Sequence, residues 1–283
     1  MEAAFDAPPE PARRKTRWVL RVLLGLVVGA CLAVLVFFAT LPDVTPLKTK
    51  FPATTAFMER RKAELRGAGQ DARLEWVPVP LWRISPRLVA AAVVAEDARF
   101  YEHAGVDWAA VRGALEKDWG GRNLRHGAST ITQQLAKNLY LSPRRTPWRK
   151  LREWAIARKL EAALTKRRIL ELYLNVVELG PRTFGVEAAA RRYFAVPAAR
   201  LDAWQSALLA AALPNPRRWS PAAPTPYLRE RASIIAARAE RVRLDGLVRA
   251  GGAAAATPPA SARRAPGRAG GAPGASRTRS TTG

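Results

Sequence analysis

The longest apolar segment of the chain lies near its N-terminus and predicts a membrane-spanning helix. Val22 to Ala39 carries no charge, and the segment extends back to Trp18 if the Arg21 side chain reaches toward the membrane surface. At 1.5 Å per residue, about twenty helical residues cross the roughly 30 Å hydrocarbon core of a bilayer. Because no convincing A-x-A cleavage signal follows, we expect residues 18–40 to remain as an anchor.

Basic residues are distributed unevenly about this segment. Four of them precede it between positions 13 and 17, whereas Lys48 and Lys50 are the first to follow. The positive-inside rule therefore predicts that residues 1–17 lie in the cytoplasm and that everything beyond residue 40 lies on the outer face of the membrane.

Beyond the anchor the polar and apolar positions follow helical spacing, with short polar side chains where helices should begin. We predict an amphipathic helix at Thr55–Arg66, a helix end near Gly120-Gly121 and another at Pro214. Further helices are predicted to begin at six N-cap residues: Ser85, Asp107, Thr130, Thr146, Thr165 and Asp202. No alternating stretch is long enough to require a sheet, so the sequence indicates one mainly α domain at residues 45–248.

Composition adds a disordered tail and a preference for anionic partners. The last 34 residues, 250–283, carry five arginines and no acid among Gly, Ala, Pro and Ser, which predicts disorder. The net charge of +24 favours nucleic acid, acidic lipid or a phosphorylated substrate. A single cysteine, Cys31, excludes a disulfide within the chain, and two histidines make a His/Cys zinc site improbable.

The first candidate for chemistry is Glu96, which follows the apolar helix Leu88–Ala95. A carboxyl group that is partly desolvated there has a raised pKa, which suits a general base. The alternative is an acidic pair of Glu96 and Asp97 in solvent, with His103 as a satisfied interior histidine. From this segment alone, the alternative is favoured.

The second candidate is a polar helix face made of Thr130, Gln133, Gln134 and Lys137. Ile131, Leu135 and Leu139 form the opposite, core-facing stripe. A hydroxyl, two amides and one cation are groups that bind sugar and neutralise phosphate, although an ordinary polar face has the same spacing.

The third candidate is Glu153, which stands among five cations: Arg144, Arg145, Arg149, Lys150 and Arg152. A plain ion pair of Arg149 with Glu153 contributes about 0.3–0.5 kcal/mol and would need only one cation. The excess favours a pyrophosphate site. Nucleic acid would fit the charge, but aromatic platforms and a binding motif are missing.

Taken in order, these segments resemble the peptidoglycan glycosyltransferases, family 51 of the glycosyltransferases. The motifs are E-D-x-x-F-x-x-H-x-G, G-x-S-T-I-T-Q-Q-L-x-K-N, R-K-x-x-E, K-x-x-I-L-E-x-Y-L-N and G-V-E-A-A-A-x-x-Y-F, and the likeness covers Pro78 to Arg238. The chain resembles the monofunctional branch, since it lacks the S-x-x-K and K-T-G pattern of a transpeptidase domain.

The resemblance implies a lysozyme-like, mainly α fold in the bacterial cytoplasmic (inner) membrane, with lipid II, the growing glycan strand and other cell-wall synthases as partners. It implies that Glu96 is the general base of an inverting transfer and that Glu153 positions the pyrophosphate, where Mg²⁺ or Mn²⁺ could assist; no organic cofactor is implied. Substrate contacts are implied for Ser129, Thr130, Gln133, Gln134, Lys137, Arg145, Arg149 and Lys150. Strand contacts are implied for Asn215 and Arg231.

Two other functions compete with this one. A lytic, lysozyme-like muramidase would need a general acid in an apolar pocket without cations. A basic protein that binds nucleic acid or acidic lipid without catalysis would need charge alone.

Thr54–Met58 is the apolar segment that we expect to rest on the membrane surface.

Overall fold

The computed structural model describes residues 10–118, 129–144 and 146–241. The predicted tail at 250–283, the predicted helix end at Gly120-Gly121 and Arg145 lie outside the described residues. Ten α-helices form within the described part: α1 Glu10–Ala39, α2 Ala56–Gly67, α3 Pro86–Glu96, α4 Trp108–Asp118, α5 Ile131–Tyr140, α6 Pro147–Ala163, α7 Lys166–Val176, α8 Val186–Phe194, α9 Ala203–Ala212 and α10 Pro226–Ala239. The mainly α class is confirmed.

Side-chain oxygens begin most of the helices where the sequence predicts it. The N-cap oxygen accepts a hydrogen bond from the N–H three residues later at five of the six predicted positions: Asp107, Thr130, Thr146, Thr165 and Asp202. Ser85 occupies the sixth, but its hydroxyl donates to the carbonyl oxygen of Leu201 instead. At Thr130 the capping box is incomplete. The Thr130 hydroxyl accepts from the N–H of Gln133, but the Gln133 side chain accepts from Lys150 instead of from the N–H of Thr130.

Helix α3 takes part in two hydrophobic cores. Ala91 packs with α9 and α10, whereas Leu88 and Val93 belong to the larger core that contains α5, α6 and α7. The apolar stripe of α5 is buried as predicted, with Ile131 and Leu135 fully enclosed. The C-terminal end of α3 is therefore held between helices from both cores.

A short parallel strand pair and Asn175 fix the end of α7. Strands β1 (Glu75–Trp76) and β2 (Thr183–Phe184) are two residues each, too short to show an alternating pattern. The buried Asn175 side chain accepts from the N–H of Val79 at 2.7 Å and donates to its carbonyl oxygen at 2.8 Å. Gly185 has φ +76°, and a Cβ there would lie 2.6 Å from the Asn175 carbonyl oxygen.

The N-terminal helix α1 contains Arg17–Ala39, the candidate membrane span found among the described residues by length and composition. Its far end contacts α6. The Phe37 ring lies 5.1 Å from the Trp148 ring, edge to face, and the guanidinium of Arg152 donates to the carbonyl oxygen of Thr40 at 2.9 Å. The anchor therefore meets the domain at the beginning of α6.

The segment Thr54–Met58, predicted to rest on the membrane surface, is partly enclosed by the domain. Thr55 and Met58 are buried, because Thr55 caps α2 and Met58 is the apolar residue that this helix turns inward. Trp148 of α6 packs against the anchor and is exposed, and Leu151 of the same helix is exposed as well. Tryptophan is enriched at membrane interfaces, so this face of α6 is a further candidate, and the membrane contact of Thr54–Met58 stays a prediction.

Candidate active site

Glu96 is the last residue of α3 and is half-buried. Its Oε2 accepts a hydrogen bond from Nε2 of Gln134 at 2.8 Å. Burial raises the pKa of the Glu96 carboxyl above its ordinary value, against the opposing effects of Gln134, Arg231 and Lys137. A carboxylate that is costly to ionise accepts protons readily, which is the property the sequence suggested for a general base.

The neighbouring Asp97 has a structural role. It is buried, and its Oδ2 accepts from the N–H of Ile131 at 2.9 Å. Its Oδ1 lies 3.0 Å from Nε2 of His103, whose Nδ1 accepts from the N–H of Gly105 and so leaves the proton on Nε2. The interior histidine of the alternative is present, but its acidic pair in solvent is not, since Asp97 is buried. Asp97 and His103 together tie the end of α3 to the start of α5.

Asp97→Ala is expected to lower the free energy of unfolding by about 2–3 kcal/mol, because two buried donors lose their acceptor. Asp97→Asn should lose less, since its amide oxygen can still accept from Ile131. Urea denaturation of the two variants measures the difference. Wild-type stability in Asp97→Ala would show that this carboxylate does not connect the helices.

Glu153 lies on α6 with only 2% of its surface exposed. Its Oε2 accepts from Arg149 and its Oε1 from Lys150, both at 2.6 Å. The Lys150 ammonium also reaches the Ser129 hydroxyl at 3.2 Å and Oε1 of Gln133 at 3.3 Å. The intrahelical ion pair is therefore present, but it belongs to a larger network that links α6 to the start of α5.

Of the five cations that the sequence grouped with Glu153, two in the described part of the chain, Arg144 and Arg152, form no ion pair with it. Arg152 contacts Thr40 instead, because adjacent residues of an α-helix point about 100° apart. Arg144 is exposed and forms no ion pair with Glu153. Lys137 of α5 supplies a further charge, which acts on both Glu153 and Glu96. Burial lowers the pKa of Lys137, and the charge of Glu153 opposes this.

Three of the cations near Glu153, Lys137, Arg149 and Lys150, line a cavity of about 560 Å³. The Phe57 ring forms part of its wall, 5.8 Å from the Lys137 ammonium. The lining residues are Phe57, Ser129, Gln134, Lys137, Pro143, Thr146, Pro147, Arg149, Lys150 and Glu153. Its volume falls in the range of ligand pockets, and its charge suits a phosphorylated group.

Glu96 lines a second cavity of about 290 Å³. Its walls come from the end of α3, the start of α4 and the residues before α5, including Arg99, Asp107 and Thr130. Ser129 lines both cavities, and Gln134 joins the first cavity to the Glu96 carboxylate. The two carboxylates thus face adjoining spaces.

Gln133, Thr130 and Asn215 were also predicted to contact the substrate or the glycan strand. Gln133 is 1% exposed and lines neither cavity, so its visible contact is with Lys150. The Thr130 hydroxyl is occupied by protein groups, since it donates to the carbonyl oxygen of Gly105 and caps α5. Asn215 lines neither cavity, and its strand contact stays a prediction.

Arg231 comes from α10, a helix that the sequence analysis did not identify. It lines a third cavity of about 330 Å³ beside Val94 and Ala95 of α3. Its charge lowers the pKa of Glu96, and its cavity shares Val94 and Ala95 with the cavity that Glu96 lines. Its predicted role toward the glycan strand stays a prediction.

The residues at Glu153 do not fit a resident metal ion. Mg²⁺ and Mn²⁺ bind carboxylate oxygens whose negative charge is not already neutralised by neighbouring cations. Here both carboxylate oxygens already accept from cations, which would repel a metal. Within the described part of the chain, no group of three His, Cys, Asp or Glu side chains could hold one. Lys137, Arg149 and Lys150 supply positive charge at this cavity.

Comparison with known proteins agrees with this geometry. The model of the Transglycosylase family matches residues 62–240. The chain belongs to the transglycosylase family. Similar proteins named biosynthetic peptidoglycan transglycosylase include that of Laribacter hongkongensis, 48% identical over 71% of this chain and 87% of its own length. Those of Rhodospirillum centenum and Bordetella pertussis are 55% and 42% identical, over 60% and 83% of this chain and 73% and 99% of their own lengths.

These findings confirm the family and the enzyme class that the five motifs indicated. They assign no role to any single residue of this transglycosylase, so those roles rest on the geometry of the site. The sequence analysis did not single out Tyr173, and it named Phe57 only as part of the segment Thr54–Met58. No spacing signal identifies either residue, because their neighbours at the site come from other helices.

Proposed function

We propose that this transglycosylase polymerises lipid II into β-1,4-linked glycan strands with inversion at the transferred sugar. One observation carries the proposal. A base with a raised pKa and a cluster of cations around a second carboxylate face adjoining cavities that share Ser129. This arrangement supports a bimolecular transfer, in which an acceptor hydroxyl and a pyrophosphate leaving group occupy different spaces.

Glu96 acts on the acceptor sugar. Its carboxylate takes the proton from the 4-hydroxyl as that oxygen forms the new bond to the anomeric carbon of the donor. The bond between the anomeric carbon and the pyrophosphate oxygen breaks, and its electron pair leaves with the pyrophosphate. Attack from the face opposite the leaving group inverts the configuration.

The cations act on the leaving group. A glycoside needs a general acid because an alkoxide leaves poorly, whereas pyrophosphate leaves as a stable anion and needs charge neutralisation. Lys150 and Arg149 are held beside the cavity by Glu153, and Lys137 adds charge from α5. Glu153 therefore acts by holding these cations in place.

The anchor supports a site at the surface of the bacterial cytoplasmic membrane, with the domain on the outer face. The bias of basic residues toward the N-terminal side of the anchor supports an N-terminus in the cytoplasm. Trp148 packs on Phe37 at the end of α1 and stands on the same helix as Glu153, so the pyrophosphate cavity lies near the membrane end of the domain. A substrate whose lipid tail stays in the bilayer can enter there.

Incubation of the purified full-length protein with lipid II alone, with and without a chelator, tests this function. We expect polymer in both arms, since side chains supply the neutralising charge. Digestion of the product by a muramidase should return disaccharide units with the β-1,4 linkage. Cleavage of preformed glycan without polymerisation would contradict the proposal in favour of a lytic enzyme.

A further inference from the structure

We propose that Tyr173 is a positioning residue for the base: acting through Gln134, it holds the amide group that faces Glu96. The inference rests on the proposed role of Glu96 and adds a residue that lies in the core of the domain. It also gives Gln134 a task toward the base in addition to its place in the wall of the larger cavity.

Three helices contribute to a continuous chain of hydrogen bonds. The Tyr173 hydroxyl, on α7, donates to Oε1 of Gln134 on α5 at 3.2 Å. Nε2 of the same amide donates to Oε2 of Glu96, at the end of α3, at 2.8 Å. Tyr173 is fully buried, so solvent does not compete for its hydroxyl.

The direction of these bonds follows from the groups themselves. Burial raises the pKa of the Tyr173 hydroxyl well above its ordinary value, with smaller contributions from Glu96 and Asp97, so it keeps its proton at working pH. A proton directed at Oε1 leaves both amide N–H groups of Gln134 available on the other side. The reversed amide would set its oxygen against the ionised Glu96, acceptor against acceptor.

The hydroxyl also strengthens the bond that reaches the base. In a chain of hydrogen bonds, donation to the amide oxygen polarises the amide and makes its N–H a better donor. That N–H favours the ionised form of Glu96, which is the form able to take a proton. Tyr173 therefore acts on the base without touching it.

Other charges near Glu96 do not depend on this chain. Arg231 on α10 and Lys137 on α5 favour the ionised carboxylate, and Asp97 on α3 opposes it. No hydrogen bond joins Tyr173 to any of these three within the described residues. Removing the Tyr173 hydroxyl should leave the effects of Arg231, Lys137 and Asp97 on the pKa of Glu96 in place. It should change only the effect of the hydrogen bond from Gln134.

The acid limb of the pH profile of kcat/KM measures this contribution, because it reports the ionisation of the base in the free enzyme. Gln134→Met removes the donor, and we expect the limb to move up by about one pH unit, the effect of losing one hydrogen bond to a charged group. Tyr173→Phe should move it in the same direction by about half a unit. The double variant should match Gln134→Met alone, since Tyr173 acts through that amide.

Tyr193→Phe is the matched control. Its hydroxyl donates to the carbonyl oxygen of Leu179 and takes no part in the chain to Glu96, so its pH profile should match the wild type. An unchanged acid limb in a folded Tyr173→Phe protein, or shifts that add in the double variant, would overturn the proposal. Full activity of Glu96→Gln would instead remove the base itself, so the two failures are distinguishable.

Discussion

Glu96→Gln is expected to lower the rate of lipid II polymerisation by on the order of 10³-fold, within the range for loss of a general base. The amide is close in shape to the carboxylate but accepts no proton at working pH. The acceptor hydroxyl then has no group to take its proton as the glycosidic bond forms. Product formation from labelled lipid II over time measures the loss.

The same variant should not lose stability. Because the folded protein raises the pKa of Glu96, the folded state binds a proton at this site more tightly than the unfolded state. Ionisation therefore costs stability as the pH rises through the unfolded-state pKa, and the cost is complete above the folded-state pKa. A neutral glutamine removes that cost at neutral and higher pH.

Glu102→Gln is the control for this prediction. Glu102 lies six residues further along, is exposed and pairs with Arg99 at the surface. Its substitution should leave polymerisation near the wild-type rate. Comparable activity of Glu96→Gln and wild type would remove Glu96 from the mechanism, whatever the stability of the variant.

Glu153→Gln is expected to lower polymerisation by about 10²-fold through misplacement of the cations that receive the pyrophosphate. One neutral amide cannot replace two carboxylate oxygens that each hold a cation at 2.6 Å. Arg149 and Lys150 then repel each other across the cavity. The loss should be shared between KM for lipid II and kcat, because the cations contact the pyrophosphate in the ground-state complex and neutralise its charge as it leaves.

Unlike Glu96→Gln, this variant should also be less stable. Removing one partner of a buried ion pair leaves uncompensated charge, and with Lys150 partly in solvent we expect a loss of about 2–3 kcal/mol. Urea denaturation measures it, with Glu102→Gln again as the exposed control. Wild-type KM together with wild-type stability would show that Glu153 does not organise the cations.

The parts of this molecule that the sequence predicts are those determined by neighbours along the chain. Thr146 caps α6 because its hydroxyl reaches an N–H three residues away, and Leu135 is buried because of its helical spacing. Local rules also place Arg149 and Lys150 beside Glu153, one helical turn apart.

Contacts between distant elements were not predictable in the same way. Arg152 belongs to the same basic run but contacts Thr40 at the end of the anchor. Tyr173 has the pattern of a core residue, and its hydroxyl partner comes from another helix. Asp97 and Glu96 are adjacent in the sequence, yet one connects helices and the other faces a cavity, a difference that depends on where α5 packs.

The central claim is that the two carboxylates divide the reaction, with Glu96 serving the acceptor and Glu153 the pyrophosphate. The most direct test is the equilibrium Kd for lipid II, measured side by side in Glu96→Gln and Glu153→Gln. The account predicts a wild-type Kd for Glu96→Gln and a Kd raised by about tenfold for Glu153→Gln, equal to about 1.4 kcal/mol of binding. Weaker binding in Glu96→Gln with wild-type binding in Glu153→Gln would contradict it.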